Sequence, residues 1–104
     1  VAKLMLFSTF DRKAEVFARP FCERSTTSAM RAFSAAVQHP ESGALHEYPE
    51  DFDLYLIGTF DDDDGSIEVN GLHLIANAAA VMRELEARAA AKALAQEVLT
   101  HGEA

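Results

Sequence analysis

A chain of 104 residues, 49% apolar and 25% charged, has the usage of one folded domain and is too short for two full cores. Its net charge of −8 argues against indiscriminate nucleic-acid binding, whose affinity comes mostly from neutralising phosphates. One cysteine, Cys22, excludes an internal disulfide, no Cys/His set has zinc spacing, and no apolar run nears the roughly 18–20 residues of a membrane span.

The lone cysteine suits a reducing compartment, and the opening VAKLMLFSTFDRK lacks the small-residue cleavage site of a secretory signal, so a cytosolic, unprocessed protein is expected. The charge is uneven. Residues 1–32 carry Lys3, Arg12, Lys13, Arg19, Arg24 and Arg31 against Asp11, Glu15 and Glu23, a balance of +3; residues 33–104 stand at −11. Scattered solvated charges and a local basic face both fit this split.

The run KLMLFST (3–9) has no Gly or Pro and suits a buried strand. After a turn at DRKA, EVFARPF alternates as a strand over 15–21; Pro20 lacks an N–H and places it at a sheet edge, while helix over 12–18 is the alternative. Residues 25–38 read as an amphipathic helix, capped by Ser25, Thr26 or Thr27, striped by Ala29, Met30, Phe33, Ala36 and Val37, and stopped at His39-Pro40. The following ESGALHEYPED reads as a polar surface loop.

Residues 48–69, YPEDFDLYLIGTFDDDDGSIEV, form the expected pivot. Leu54, Leu56 and Phe60 share one parity and Tyr55, Ile57 and Thr59 the other, as in a central strand with helix on at least one side. Gly58 marks a bulge or a close backbone approach, and Asp64-Gly65 is a hairpin-turn dipeptide returning the chain through 66–69. From Leu72 to about Thr100 the spacing of Leu74, Ala78, Val81, Met82, Leu85 and Ala89 predicts one long, Ala-rich helix. It exceeds what a body this size needs, so residues 87–104 are read as an extension and tail beyond a core of about 3–86. That extension either associates with a second copy, through Leu85, Ala89, Leu94 and Val98, or frays or folds back on the sheet. The architecture expected is α+β, ββαββα: a small, four-stranded, mainly antiparallel sheet with helices on one face.

The chemical constellations are thin. Calcium-loop numbering with Gly65 at position 6 places Asp62 and Asp64 suitably but puts Phe60 and Gly71 at the two anchor positions, so Asp61–Asp64 reads as a charged turn. Cys22 with His39 or His46 lacks the setting of a nucleophile, His73 has no second histidine at ligand spacing, and Glu47, Glu50, Asp51 and Asp53 lack a nucleophile or phosphate cradle nearby. No enzymatic activity, metal or cofactor is expected. The remaining set is Arg12, Lys13, Phe17, Arg19, Phe21, Arg24 and Arg31. On one strand Phe17, Arg19 and Phe21 share a face, the stacking-plus-charge arrangement that holds single-stranded nucleic acid; core phenylalanines with an arginine snorkelling at the edge are the other reading.

LFSTFDRKAEVFARPF, AMRAFSAAVQHP and YPEDFDLYLIGTFDDDDGSIE, in this order and spacing, resemble the small nonstructural protein of gokushovirus-type microviruses, tailless phages with circular single-stranded DNA. The resemblance covers residues 3–69 and fades into the last helix; the Ala-rich tail after Val81 departs from it. It implies an accessory role in the host bacterial cytoplasm, in phage single-stranded DNA replication or packaging, and brings no catalytic residues. Two modes are expected: binding single-stranded DNA through the N-terminal basic face, or adaptor contacts with viral replication or procapsid proteins or with a second copy.

Overall fold

A computed structural model describes residues 3–101, so Val1, Ala2 and the last three residues of the expected tail lie outside the described part. Two long antiparallel strands make the middle of the sheet: β1, Lys3–Asp11, and β4, Phe52–Asp61, paired from Lys3 opposite Asp61 to Asp11 opposite Phe52. Each is flanked by an edge in two short pieces. Val16–Phe17 (β2) and Phe21–Glu23 (β3) pair with β1; Ile67–Glu68 (β5) and His73–Asn77 (β6) pair with β4. The chain is thus a ββα unit written twice: a long strand, a broken return edge and a helix, first α1 (Thr26–Gln38) and then α3 (Ala78–His101). A short helix α2, Ala44–Glu47, lies between the halves.

The two units bury their helices by the same spacing. Ser25 Oγ accepts the N–H of Ser28 (3.1 Å) and caps α1, after which Ala29, Phe33 and Val37 are buried at four-residue intervals. Asn77 Oδ1 accepts the N–H groups of Ala79 (3.0 Å) and Ala80 (3.3 Å), and Val81 and Leu85 stand four and eight residues on. These side chains close on Phe7 and Leu54, both fully buried, with Met5, Phe21, Phe52 and Leu56 around them. Full burial of one such side chain is worth about 1.5–3 kcal/mol. Both helices cover this one face of the sheet.

Three expectations change. The last helix starts at Ala78, not Leu72: residues 73–77 pair with β4 as a strand, and Asn77 ends it by turning its side chain to the cap. The edge expected over 15–21 breaks into β2 and β3 at Ala18–Pro20. The loop after α1 is not plain coil: it holds 3-10 turns at Pro40–Ser42 and Pro49–Asp51 around α2, and His46 Nδ1 donates to the Val37 carbonyl (2.8 Å) to pin it. Gly58 combines both readings made of it. The register slips at Ile57, and a Cβ at Gly58 would stand 2.3 Å from the Glu68 carbonyl oxygen.

Candidate interaction surface

No helix covers the face of the sheet away from α1 and α3, although the chain at Glu68–Val69 crosses it beside Gly58. Alternation along the central pair puts Leu4, Leu6, Ser8 and Phe10 of β1 there, opposite Phe60, Gly58, Tyr55 and Asp53 of β4. Phe10, Phe17 and Tyr55 cluster on it, with ring centroids 4.6 Å apart for Phe10–Phe17 and 5.8 Å for Phe17–Tyr55. Beside them runs an apolar groove lined by Leu6, Phe17, Pro20, Ile57, Val69 and Leu72. Its one polar side chain, Ser8, turns its hydroxyl to the Ala18 carbonyl (2.8 Å) and offers little to a ligand. Val69 and Leu72 are 75% and 58% exposed, a large apolar area for a surface with no helix on it.

The predicted nucleic-acid set is dispersed over this body. Phe7 pairs with Phe21 and Phe10 with Phe17, three steps on β1 against four on the edge. That extra residue at Ala18–Pro20 is a bulge, and it turns Phe17 and Phe21 to opposite faces. Phe21 stacks on Phe7 at 5.8 Å in the core layer, while Phe17 joins the open face, so the two do not share a face with Arg19 between them. Arg12 is held in an ion pair with Asp53. Lys13 is exposed on the turn, in a hollow with Ala44, Tyr48 and Glu50, and Arg19 is exposed on the edge two residues after Phe17. Arg24 follows Glu23, which pairs with Met5, so it lies about 25 Å along β1 from Arg12. Arg31 is on α1, in a groove facing Val81, Leu85 and Arg88 of α3. Phe10 and Tyr55 are the members the sequence reading missed: the β1–β2 hairpin sets Phe10 opposite Phe17, and the β1–β4 register brings Tyr55 to the same face.

The predicted self-association set also divides. Leu85 packs against the core, whereas residues 86–100 are all exposed and carry the described chain to a length of 63 Å. Nine residues separate Leu85 from Leu94, two and a half turns at about 3.6 residues per turn, so Leu94 and Val98 face away from Leu85 and Ala89.

At the other end of β4, Asp61 Oδ1 accepts the N–H of Asp63 (2.9 Å) and Asp64 Oδ1 that of Ser66 (2.9 Å). The Ser66 hydroxyl and N–H hold the Asp64 carboxyl below its usual range. Among the described residues, Asp61, Asp62 and Asp63 are the acidic group close enough to share a cation, within 4.8 Å of one another, but Asp62 and Asp63 are exposed and the local geometry is that of a hydrogen-bonded turn. Cys22 is exposed on β3, opposite Leu6, while His39 accepts the Glu41 N–H and His46 is bonded to Val37. No helix among the described residues is long and apolar enough to cross a membrane.

A two-layer α+β body that leaves one sheet face bare defines a small domain of the kind that presents a surface. The chain belongs to the phage ORF5 protein family, whose model matches residues 4–81. It is 38% identical over 65 residues to Protein ORF5 of Chlamydia phage 1, an alignment spanning 60% of this chain and 68% of that one. This is a small protein of the gokushovirus-type microviruses, as the motifs around Asp11 and Asp61 implied. No solved structure matches it. The family match ends at Val81, one turn into α3, so the exposed arm lies beyond it.

Proposed function

We propose that the chain is a non-enzymatic accessory protein of microvirus single-stranded DNA replication or packaging, acting in the host bacterial cytoplasm as an adaptor. Its open sheet face takes an apolar segment of a viral replication or procapsid protein. The observation that carries this reading is the bare groove of Leu6, Phe17, Ile57, Val69 and Leu72. Contiguous exposed apolar surface of this kind marks protein-binding sites, and aromatic side chains such as Phe17 and Tyr55 make effective anchors. The −11 balance of residues 33–104 suits a partner whose apolar segment is flanked by basic residues. Other proteins of the same phage, expressed singly, should include one that binds the immobilised full chain. Leu72→Glu and Phe17→Glu should each weaken that binding at least tenfold with the circular dichroism spectrum unchanged. Unchanged binding in both variants would remove the open face from the interaction.

A second reading keeps direct contact with single-stranded DNA, and the Phe10–Phe17–Tyr55 cluster, with exposed Arg19 two residues along the chain from Phe17, favours it. Stacking on an aromatic side chain contributes about 1–3 kcal/mol per base. This cluster lies about 23 Å along β1 from the Asp61–Asp64 turn, which would repel phosphate. Labelled oligothymidine titrated at two salt concentrations decides the matter. Binding that weakens with salt and is lost in Phe17→Ala supports the contact; no binding at low salt eliminates it.

A further inference from the structure

The geometry points to the exposed half of α3 as a dimerisation arm that packs antiparallel against the same arm of a second copy. In the first two turns of α3 the apolar side is set by Ala78, Val81, Met82 and Leu85, all packed into the core. Past residue 86 the apolar side moves. At 100° per residue, Ala87, Ala91, Leu94 and Val98 fall within about 60° of one another, centred roughly opposite the core-facing stripe, while Arg88, Lys92 and Gln96 join Ala89 and Leu99 on the core-facing side. One helix thus carries two apolar faces of opposite direction, one satisfied by its own sheet and one with Leu94 and Val98 62% and 61% exposed.

The second face complements itself. Its small residues, Ala87 and Ala91, come first and its larger ones, Leu94 and Val98, follow. An antiparallel pair with its two-fold axis between Lys92 and Ala93 sets Leu94 against Ala91 of the second copy and Val98 against its Ala87, large against small at every level. A parallel pair would oppose alanine to alanine and leucine to leucine, leaving gaps at one end. The reversal of the stripe is what makes the antiparallel pair sterically open: the second arm docks on the side away from the first sheet, and each body hangs on its own outer side. About 10 Å of helix separates Leu85 from the axis, so the bodies clear one another along the arm.

The contact area fixes how strong this dimer is. Two arms of about 22 Å meeting along one stripe bury less than the roughly 1,200 Å² of a small specific interface, which places the association among weak, concentration-dependent ones. A second copy is the fitting occupant because an Ala-rich helix this short is marginal alone in water and gains order from a partner. This inference concerns a surface separate from the open sheet face and does not depend on what that face binds.

Sedimentation of the full chain over a concentration series tests it. The weight-average mass should rise toward twice the monomer at high concentration; a monomer throughout overturns the proposal. Leu94→Glu and Val98→Glu should hold the chain monomeric, while Leu99→Glu, about 110° round the helix from the centre of that face, should leave the dimer intact; the reverse pattern overturns the assigned face. In a Cys22→Ser background, mixed Ala87→Cys and Val98→Cys chains should oxidise to the crossed disulfide dimer. Dominance of the two like-with-like dimers overturns the antiparallel arrangement.

Discussion

Arg12 and Asp53 form an ion pair across the central strands, Nε of Arg12 lying 3.2 Å from Oδ2 of Asp53. The guanidinium is half exposed, but the carboxylate is nearly buried and also accepts from Asn77 Nδ2 at 2.9 Å. Arg12 further donates from its side chain to the Glu50 carbonyl and from its N–H to that of Asp51 (2.9 Å). It clamps the turn that leads into β4. A residue that looked available for phosphate is therefore occupied in the fold.

Removing Arg12 should accordingly cost stability. Arg12→Ala leaves Asp53 with Asn77 as its remaining side-chain donor, and a loss of about 1 kcal/mol is expected, limited by the exposure of the guanidinium. Urea unfolding should show it, and the loss should largely vanish when Asp53→Asn is the background. Equal losses in both backgrounds would mean that the ion pair contributes nothing.

The two edge phenylalanines should separate cleanly. Phe21→Ala removes a ring stacked on fully buried Phe7 and should lower stability by about 2–3 kcal/mol, short of the 3–5 of a fully buried ring. Phe17 is 39% exposed on the open face, and Phe17→Ala should cost under about 1.5 kcal/mol while reducing binding to any partner of that face. Thermal denaturation of the two variants side by side gives the ranking, and a larger loss at Phe17 would reverse the face assignment.

Gly58 tolerates no side chain. A Cβ there would meet the Glu68 carbonyl oxygen at 2.3 Å, and that atom is backbone, so β5 must move. Gly58→Ala should destabilise by about 1–3 kcal/mol. Faster amide exchange at Ile67 and Glu68 would localise the damage; an unchanged edge would show that β5 yields without strain.

Much of this fold was readable from residues. β1, α1, β4 and the acidic turn all follow from runs and caps whose local preferences agree with their final places. The failures share a cause. Leu74, Ala78 and Val81 have helical spacing, so residues 72–77 looked like the start of α3, whereas Asn77 is a cap and Tyr55 and Leu56 recruit the segment to the sheet through long-range pairing. The bulge at Ala18–Pro20 likewise shifts parity by one residue, and an alternation pattern is blind to such a slip. The basic set is spread over the body for that reason, and because an ion pair between Arg12 and Asp53, 41 residues apart, leaves no mark on either local stretch.

The Asp64 carboxyl should titrate below its ordinary value of 3.8, because the Ser66 hydroxyl and N–H bond its charged form. A lowered folded value means that the contribution is present above the ordinary value and is lost as pH falls through the folded one. Nothing should change near neutrality from this group. A carbon-detected NMR titration should place the midpoint under 3.8, and Ser66→Ala should raise it; a midpoint above 3.8 would show the turn is not bonded in solution.

Asn77 carries the junction of β6 and α3 with both ends of its amide. Its oxygen caps the helix, and its nitrogen donates to Asp53 Oδ1 and, at 3.2 Å each, to the carbonyls of Glu50 and Phe52. Asn77→Ala loses the cap and the donor and should cost about 2–3 kcal/mol in urea unfolding. Asn77→Asp separates the two functions. It keeps an acceptor at the helix start, where negative charge is favourable, but sets a carboxylate against Asp53 and two carbonyl oxygens. Its deficit should therefore be large near neutral pH and shrink in mild acid, as the new carboxyl takes up a proton and can donate again. If Asn77→Asp is as stable as the parent at pH 7, the cap alone matters and the bonds to the 50–53 turn contribute nothing.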